Sequence, residues 1–336
     1  MRRFRWLAAL ALAALLLARP KAAALGALAA MERWRATVAP AIFPFLALMP
    51  LLTGEDAARA YRALLGGAMG RLFRLPGAAA PAMVVGMVAG TPAGAIASRG
   101  VAARAGMNRG QLHRLSVAVM GFSPGFLVGG VGEGMLGSAA LGWRLALSQL
   151  LTQLTLALLL RGAWRDRDAP VVDAGPVREE APVRGAVLAT LTVCGYMALF
   201  GALSCSAGAL VGPGAGGALL CLLDAPSGAH LLANLPLSLP ARMALISALC
   251  GFGGLCVIAQ CLGALRGCDL RASECLALRA LAGALSAGFT AAQMGAGKLD
   301  LSALAFAARE NPLAVAGLCA SALAVPALVK LKKSIS

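Results

Sequence analysis

Residues 185–211 read GAVLATLTVCGYMALFGALSCSAGALV, 27 residues without an Asp, Glu, Lys or Arg. A helix needs about 20 apolar residues to cross the roughly 30 Å hydrocarbon layer of a bilayer. This stretch exceeds that length, and it is not alone. Upstream, across a hydrophilic linker at 161–184 carrying Arg165, Asp166, Arg167, Asp168, Glu179 and Glu180, lie apolar stretches at 36–53, 78–98, 115–131 and 138–160. Downstream lie a weaker stretch at 213–240, then 241–262, 276–293 and 312–329, with Lys330, Lys332 and Lys333 after the last. The blocks define an all-α, polytopic membrane helical bundle.

Composition agrees. Hydrophobic residues make up 60% of the 336 positions and charged residues 13%, with a mean hydropathy of +0.80. Soluble domains average about 45–50% apolar and roughly 25% charged. The net charge is +16, from 30 Lys and Arg against 14 Asp and Glu. Those cations fall between the apolar blocks, and only 5% of residues are aromatic, too few for a base-stacking platform. Basic loops facing anionic lipid and the cytoplasm explain the charge; the partner is the bilayer of a cell membrane, not nucleic acid. All nine cysteines lie in the second half, from Cys194 to Cys319, with no C-x-x-C pair. The odd number argues against a complete disulfide framework. His113 and His230 are far apart, so neither a metal nor a cofactor is expected.

The chain divides into N-terminal membrane and interfacial helices (1–35), a first membrane half (36–160), the linker (161–184) and a second membrane half (185–336). Met1–Arg5 holds three arginines ahead of an apolar run to Ala18, the pattern of a signal peptide or a short first membrane helix; the second reading is preferred. Residues 19–35 read as an interfacial helix and 36–53, with Pro40, Pro44 and Pro50, as a separate span packed inside the bundle. Residues 55–75 interleave Arg59, Arg62, Arg71 and Arg74 with leucines and aromatics, as in a helix lying in the interface. Elements of the second half recur roughly 160 residues after those of the first, implying two related halves with broken helices. Charge places the linker and the 266–279 loop in the cytoplasm and 213–240, which lacks Lys and Arg, outside. The basic stretches 54–75 and 99–114 share the cytoplasmic side only if 78–98 is re-entrant, and that is the reading adopted.

Two glycine series carry the candidate site. Gly86, Gly90 and Gly94 recur every four residues, as do Gly121, Gly125 and Gly129. On a helix this spacing makes a close-packing face. Pro92 and Pro124 remove backbone donors beside these series, and Thr91 and Ser123 stand next to the breaks with hydroxyls to offer. Interrupted helices aim free N–H groups inward and attract anions. In the second half Gly251, Gly253 and Gly254 fall within four residues, with Gln260 at the end of the run. Substrate-binding candidates are therefore Gly90, Thr91, Pro92, Gly94, Ser123, Pro124, Gly125, Gly251, Gly253, Gly254 and Gln260. On 138–160 the polar stripe of Ser148, Thr152 and Thr155, flanked by Gln149 and Gln153, either bonds neighbouring helices or lines a solute path. Glu133 and Arg144 either pair or mark the interface. Gly121–Gly125 matches G-x-S-x-G, but Pro124 after the serine lacks the N–H that a nucleophile elbow uses for its oxyanion hole, so an enzyme is not expected.

Taken in order, three pieces resemble the YlbJ-type sporulation integral membrane proteins that carry the nucleoside-recognition (Gate) domain. They are Ala41-Ile42-Phe43-Pro44-Phe45-Leu46; the series from Phe73-Arg74-Leu75-Pro76-Gly77 through Gly90-Thr91-Pro92-Ala93-Gly94-Ala95 to Ser123-Pro124-Gly125-Phe126-Leu127-Val128-Gly129; and Gly251-Phe252-Gly253-Gly254-Leu255-Cys256-Val257 with Gln260. Two places where the family often has a basic residue and a His hold Ile96 and Ile258 here, which makes a drier site. The resemblance implies a role in endospore formation and kinship to permeases of small solutes. Basic loops favour an anion, such as dipicolinate or another small carboxylate. The alternative is a non-transporting scaffold that assembles with itself or with other sporulation membrane proteins.

Overall fold

Proline, glycine and a few buried polar side chains decide where each apolar block stays one helix and where it breaks. The computed structural model describes residues 5–164, 168–171, 182–268 and 270–295. Among these the chain is helical, with no strand beyond an isolated bridge between Asn108 and Pro170. The chain is an all-α integral membrane protein. The middle of the linker, the expected span at 312–329 and the terminal lysines lie outside the described residues.

Helix α1 (Arg5–Ala18) precedes α2 (Pro20–Arg33), which runs through a wide π turn at Trp34–Val38 into α3 (Ala39–Leu52). The expected boundary between an interfacial 19–35 helix and a 36–53 span is therefore absent: Pro20–Leu52 is one helix of 33 residues. Pro40 removes a donor just beyond the π turn, and the widened turn takes up the misfit without ending the helix. Helix α4 (Glu55–Ala68) has no buried residue, as an interfacial helix should. The chain passes Arg74, which takes a left-handed conformation (φ 53°), and the stretch Gly77–Ala89 leaves Glu55–Phe73 at 110°.

Next come two short helices, α5 (Ala80–Ala89) and α6 (Ala93–Arg104). At about 1.5 Å per residue neither reaches across 30 Å. They fold back on each other, since a Cβ on Gly94 would sit 2.8 Å from the Cα of Gly86. The 78–98 stretch is thus a hairpin with its tip at Gly90-Thr91-Pro92. Gly86 and Gly94 do not share one helix face; they meet across the hairpin. Helix α7 (Arg109–Val119) opens on a capping box between Asn108 and Gln111, and breaks at Met120–Gly125. A π-helical segment (Phe126–Glu133) and a short α8 (Gly134–Leu136) complete that crossing, and α9 (Ala139–Leu159) returns.

The second half repeats this plan. After α10 (Pro182–Val211), helices α11 (Pro213–Leu223) and α12 (Ala225–Ala233) form another hairpin, closed where Gly228 meets the Cα of Cys221 at 2.8 Å from its would-be Cβ. Then α13 (Leu239–Phe252) and α14 (Gly254–Ala264) make a crossing broken at Gly253 and Gly254, both at positive φ, and α15 (Ala272–Gln293) returns. This corrects two expectations. Residues 213–240 are not an external loop, because the hairpin tip at Asp224 is fully buried. The halves are also offset by about 130 residues rather than about 160: α9 begins at Ala139 and α15 at Ala272, while the breaks fall at Gly121 and Gly251.

Hydrogen bonds fix which ends lie together. Arg114 donates to Arg74 O (3.4 Å) and Ala163 O (2.8 Å), Arg99 to Ala264 O (3.2 Å), and His113 Nε2 lies 2.6 Å from Cys268 O. The basic stretches 54–75, 99–114 and 264–271 and the start of the linker therefore share one end, which the positive-inside rule assigns to the cytoplasm. At the other end Arg144, near the start of α9, donates to Gln293 O (2.9 Å), and Arg242 to Ala233 O (2.7 Å). Hairpin α5–α6 enters from the basic end and hairpin α11–α12 from the opposite end. The two halves have inverted topology.

Lipid offers little hydrophobic drive between helices, so contact depends on small residues and polar bonds. Gly26 and Gly201 bring α2 and α10 together with each would-be Cβ under 3 Å from the other's carbonyl (2.3 and 2.6 Å). Gly251 and Gly283 do the same for α13 and α15. Ser148, Gln149 and Gln153 of the α9 polar stripe bond neighbouring elements, while Thr152 bonds Ser148 O within its own helix (2.8 Å). Thr290 Oγ1 lies 2.7 Å from both Ser148 Oγ and Ser247 Oγ, and Gln149 donates to Ser286 Oγ (2.9 Å). For Ser148 and Gln149, then, the structure shows the helix-bonding reading. Glu133 is exposed, and Arg144 is engaged with Gln293.

Candidate functional site

Each hairpin tip rests on a broken crossing, and the strand of contacts can be built from the backbone groups the breaks release. At the first, Gly90 (φ 68°) packs against Gly121–Ser123, where a Cβ would sit 2.4 Å from Ser123 N. Thr91 donates to Gly121 O through its backbone N–H (2.8 Å) and its hydroxyl (3.3 Å). With its side-chain amide turned to match its neighbours, Gln153 of α9 accepts from Gly121 N (3.3 Å) and donates to Ala118 O (3.3 Å). The absence of a side chain on Gly121 makes room for that amide. Ser123 Oγ accepts from Phe126 N (3.2 Å), capping the next helical segment.

The second junction uses different chemistry in the same place. Gly254 packs on the tip of α11–α12, its would-be Cβ 3.0 Å from Ala225 N and 3.2 Å from Leu223 O. The carbonyls released at the end of α13 are taken by Arg279 of α15, which donates to Phe252 O (2.9 Å) and Cys250 O (3.2 Å). A cation at a helix C-terminus also complements its dipole.

The two junctions meet. A cavity of about 30 Å³, room for one or two water molecules, is lined by Thr91, Phe122, Ser123 and Phe126 from the first half and by Asp224, Pro226, Cys256, Val257 and Gln260 from the second. Val38 and Ile42 of the long N-terminal helix and Val193 and Met197 of α10 close it. Four helical segments begin at this cavity: α6 after Pro92, the π segment at Phe126, α12 after Asp224 and α14 at Gly254. Each N-terminus contributes a partial positive charge of up to about half an elementary unit. Against them stands one carboxylate. Asp224 Oδ2 accepts from Ser227 N (3.2 Å) and from the Ser227 hydroxyl, while Oδ1 has no partner among the described residues.

The chain's likeness is to another membrane protein. The chain is 29% identical over 157 residues to the sporulation integral membrane protein YlbJ of Bacillus subtilis (strain 168). The match covers 47% of this chain and 38% of YlbJ, so the chain spans well under two thirds of that relative's length. No protein-family model matches the chain. No solved structure matches it either.

Of the residues expected at a site, Thr91, Ser123 and Gln260 line the cavity, and Gly90, Pro92, Gly253 and Gly254 shape the junctions around it. Gly125 is adjacent, 3.9 Å from Ser123 Oγ at its would-be Cβ, with Pro124 between them. Gly94 and Gly251 belong to helix packing instead: Gly94 to the hairpin and Val119, Gly251 to α15. The residue the sequence reading passed over is Asp224. It is the only Asp or Glu between Glu180 and Asp269, and an ionisable residue inside a membrane domain is a candidate for a functional site. A second cavity, of about 10 Å³ beside Met120, Leu156 and Leu278, holds too little space for a ligand. Among the described residues no group of His, Cys, Asp and Glu is arranged to hold a metal, and the described cysteines are free thiols.

Proposed function

We propose that the protein is a secondary permease that carries a small, anionic solute across the cell membrane through the cavity between its inverted halves. One observation carries the reading: two hairpin tips and two broken crossings, entering from opposite ends, converge on Thr91, Ser123, Asp224 and Gln260. Permeases with inverted repeats bind solute at the midplane between interrupted helices, and close and open the site by moving one repeat against the other. On this reading the cavity of about 30 Å³ has to widen, by movement of one half against the other, before a carboxylate can enter. Four converging helix N-termini suit a carboxylate or phosphate group. The likeness to YlbJ supports a place in endospore formation, and the motif order quoted above supports kinship to Gate-domain permeases.

The test is uptake of a panel of small carboxylates, with a nucleoside as the neutral comparator, into proteoliposomes of the purified chain. Flux of at least one solute is expected, and it should fall in Gly90→Leu, Ser123→Leu and Gly254→Leu. No flux above empty liposomes for the whole panel, with a partner co-purifying in fixed stoichiometry, would favour the scaffold reading, in which the junctions serve only packing.

A further inference from the structure

We infer that Asp224 is the seat of a co-bound monovalent cation, sodium or a proton, which must neutralise this carboxylate for the cavity to be filled. The inference deepens the permease reading by naming its coupling partner, but the cation site itself is testable without any flux.

Several charged and polar groups at the junctions are already committed to partners. The negative end of α13 is already occupied, because Arg279 holds its last carbonyls. At the first break Gly121 O is taken by Thr91. Asp224 keeps one carboxylate oxygen uncommitted. It is fully buried, it lines the cavity, and Oδ1 lacks any partner among the described residues. From the neighbouring helices the charged and titratable groups acting on it are Arg33 of α2 and Cys256 of α14, while Ser227 on its own helix bonds Oδ2. Arg33 makes no hydrogen bond or ion pair to it. Arg33 acts only through space, its own Nε buried without a partner among the described residues, and a buried carboxylate without a direct partner is expensive. The same cavity is lined by further oxygens: the hydroxyls of Thr91 and Ser123, whose lone pairs can still accept a cation, and the carbonyl oxygen of the Gln260 amide, whose nitrogen is turned to Cys256 Sγ (3.3 Å). Hard oxygen ligands and one formal negative charge suit sodium, and a proton on Oδ1 meets the same requirement. Neutralised, the site leaves the partial positive charge of the helix N-termini, two of them capped by Ser123 and Asp224, to favour the anion. Left charged, the carboxylate opposes it.

The experiment uses the full-length protein in detergent micelles and follows thermal unfolding in sodium chloride against choline chloride at matched ionic strength, across a pH series. Wild type is expected to be stabilised saturably by sodium over choline, or, for a proton, to show a pH dependence that Asp224→Asn lacks. Asp224→Asn keeps the size and the acceptor for Ser227, and should weaken any sodium response by about tenfold or more. Identical sodium and pH responses in wild type and variant overturn the inference. If the variant does not fold, labelling of wild type with dicyclohexylcarbodiimide replaces it, read by peptide mass at Asp224. Protection by sodium identifies sodium, and a rate that falls through one titration as pH rises, without a sodium effect, identifies a proton. A rate indifferent to both overturns the inference. Flux failing while the cation response holds removes the permease reading and leaves this site standing.

Discussion

Replacing glycine by alanine at two positions separates helix propensity from close packing. Gly251 lies inside α13, and a Cβ there would stand 2.6 Å from Ala282 O and 2.7 Å from Gly283 Cα. Both are backbone atoms of α15 and cannot rotate aside. Gly195 lies inside α10 with nothing within 4 Å of its would-be Cβ. Alanine in a helix interior gains up to about 1 kcal/mol over glycine at either place. Overpacking a tight interface costs about 1–3 kcal/mol. The propensity gain cancels when the two variants are compared, so Gly251→Ala should be less stable than Gly195→Ala by about 1–3 kcal/mol. Reversible unfolding in mixed micelles, read by circular dichroism, measures the difference. Equal stabilities, or a more stable Gly251→Ala, would show that α13 and α15 do not approach at Gly251 and Gly283.

The polar groups at the breaks yield further expectations. Gln153→Leu leaves Gly121 N and Ala118 O without their partner and should cost about 1–3 kcal/mol in the same unfolding assay, for each group stranded away from water. Arg279→Met frees two carbonyls at the end of α13. Arg279→Lys, a point charge without the planar fork, should restore only part of the loss. Ser148→Ala and Ser247→Ala each cost about 1 kcal/mol. Together they should fall short of additivity, because both bond Thr290 in one network.

The sequence disclosed some of this architecture through particular residues and withheld the rest for physical reasons. Uncharged runs such as 185–211 identify spans by length alone, and the tip at Gly90-Thr91-Pro92 is visible because glycine and proline both interrupt a helix. Charge points to that hairpin: two basic stretches share a side only if the chain between them returns. Its counterpart at 213–233 escaped notice because its flanks lack Lys and Arg, leaving charge nothing to weigh, and because the turn uses Asp224 without glycine at the tip. The four-residue glycine spacing misled because it assumes a continuous helix; breaks at Gly90 and Gly121 turn neighbours in sequence into partners across a gap. Thr91, Ser123 and Gln260 were found one by one, as polar residues beside breaks. Their meeting in one cavity depends on the inverted pairing of the halves, which no local pattern encodes.

Sided labelling of single cysteines tests that inverted pairing most directly. Cysteine is introduced in turn at Arg74, Arg104 and Asn234, all exposed, in a background without the native cysteines, and probed with a membrane-impermeant maleimide in vesicles of known orientation. Residues 74 and 104 should label from the cytoplasmic face and 234 from the other. Labelling of 74 and 104 from opposite faces would make 78–98 a simple crossing and dissolve the convergence of the two hairpins.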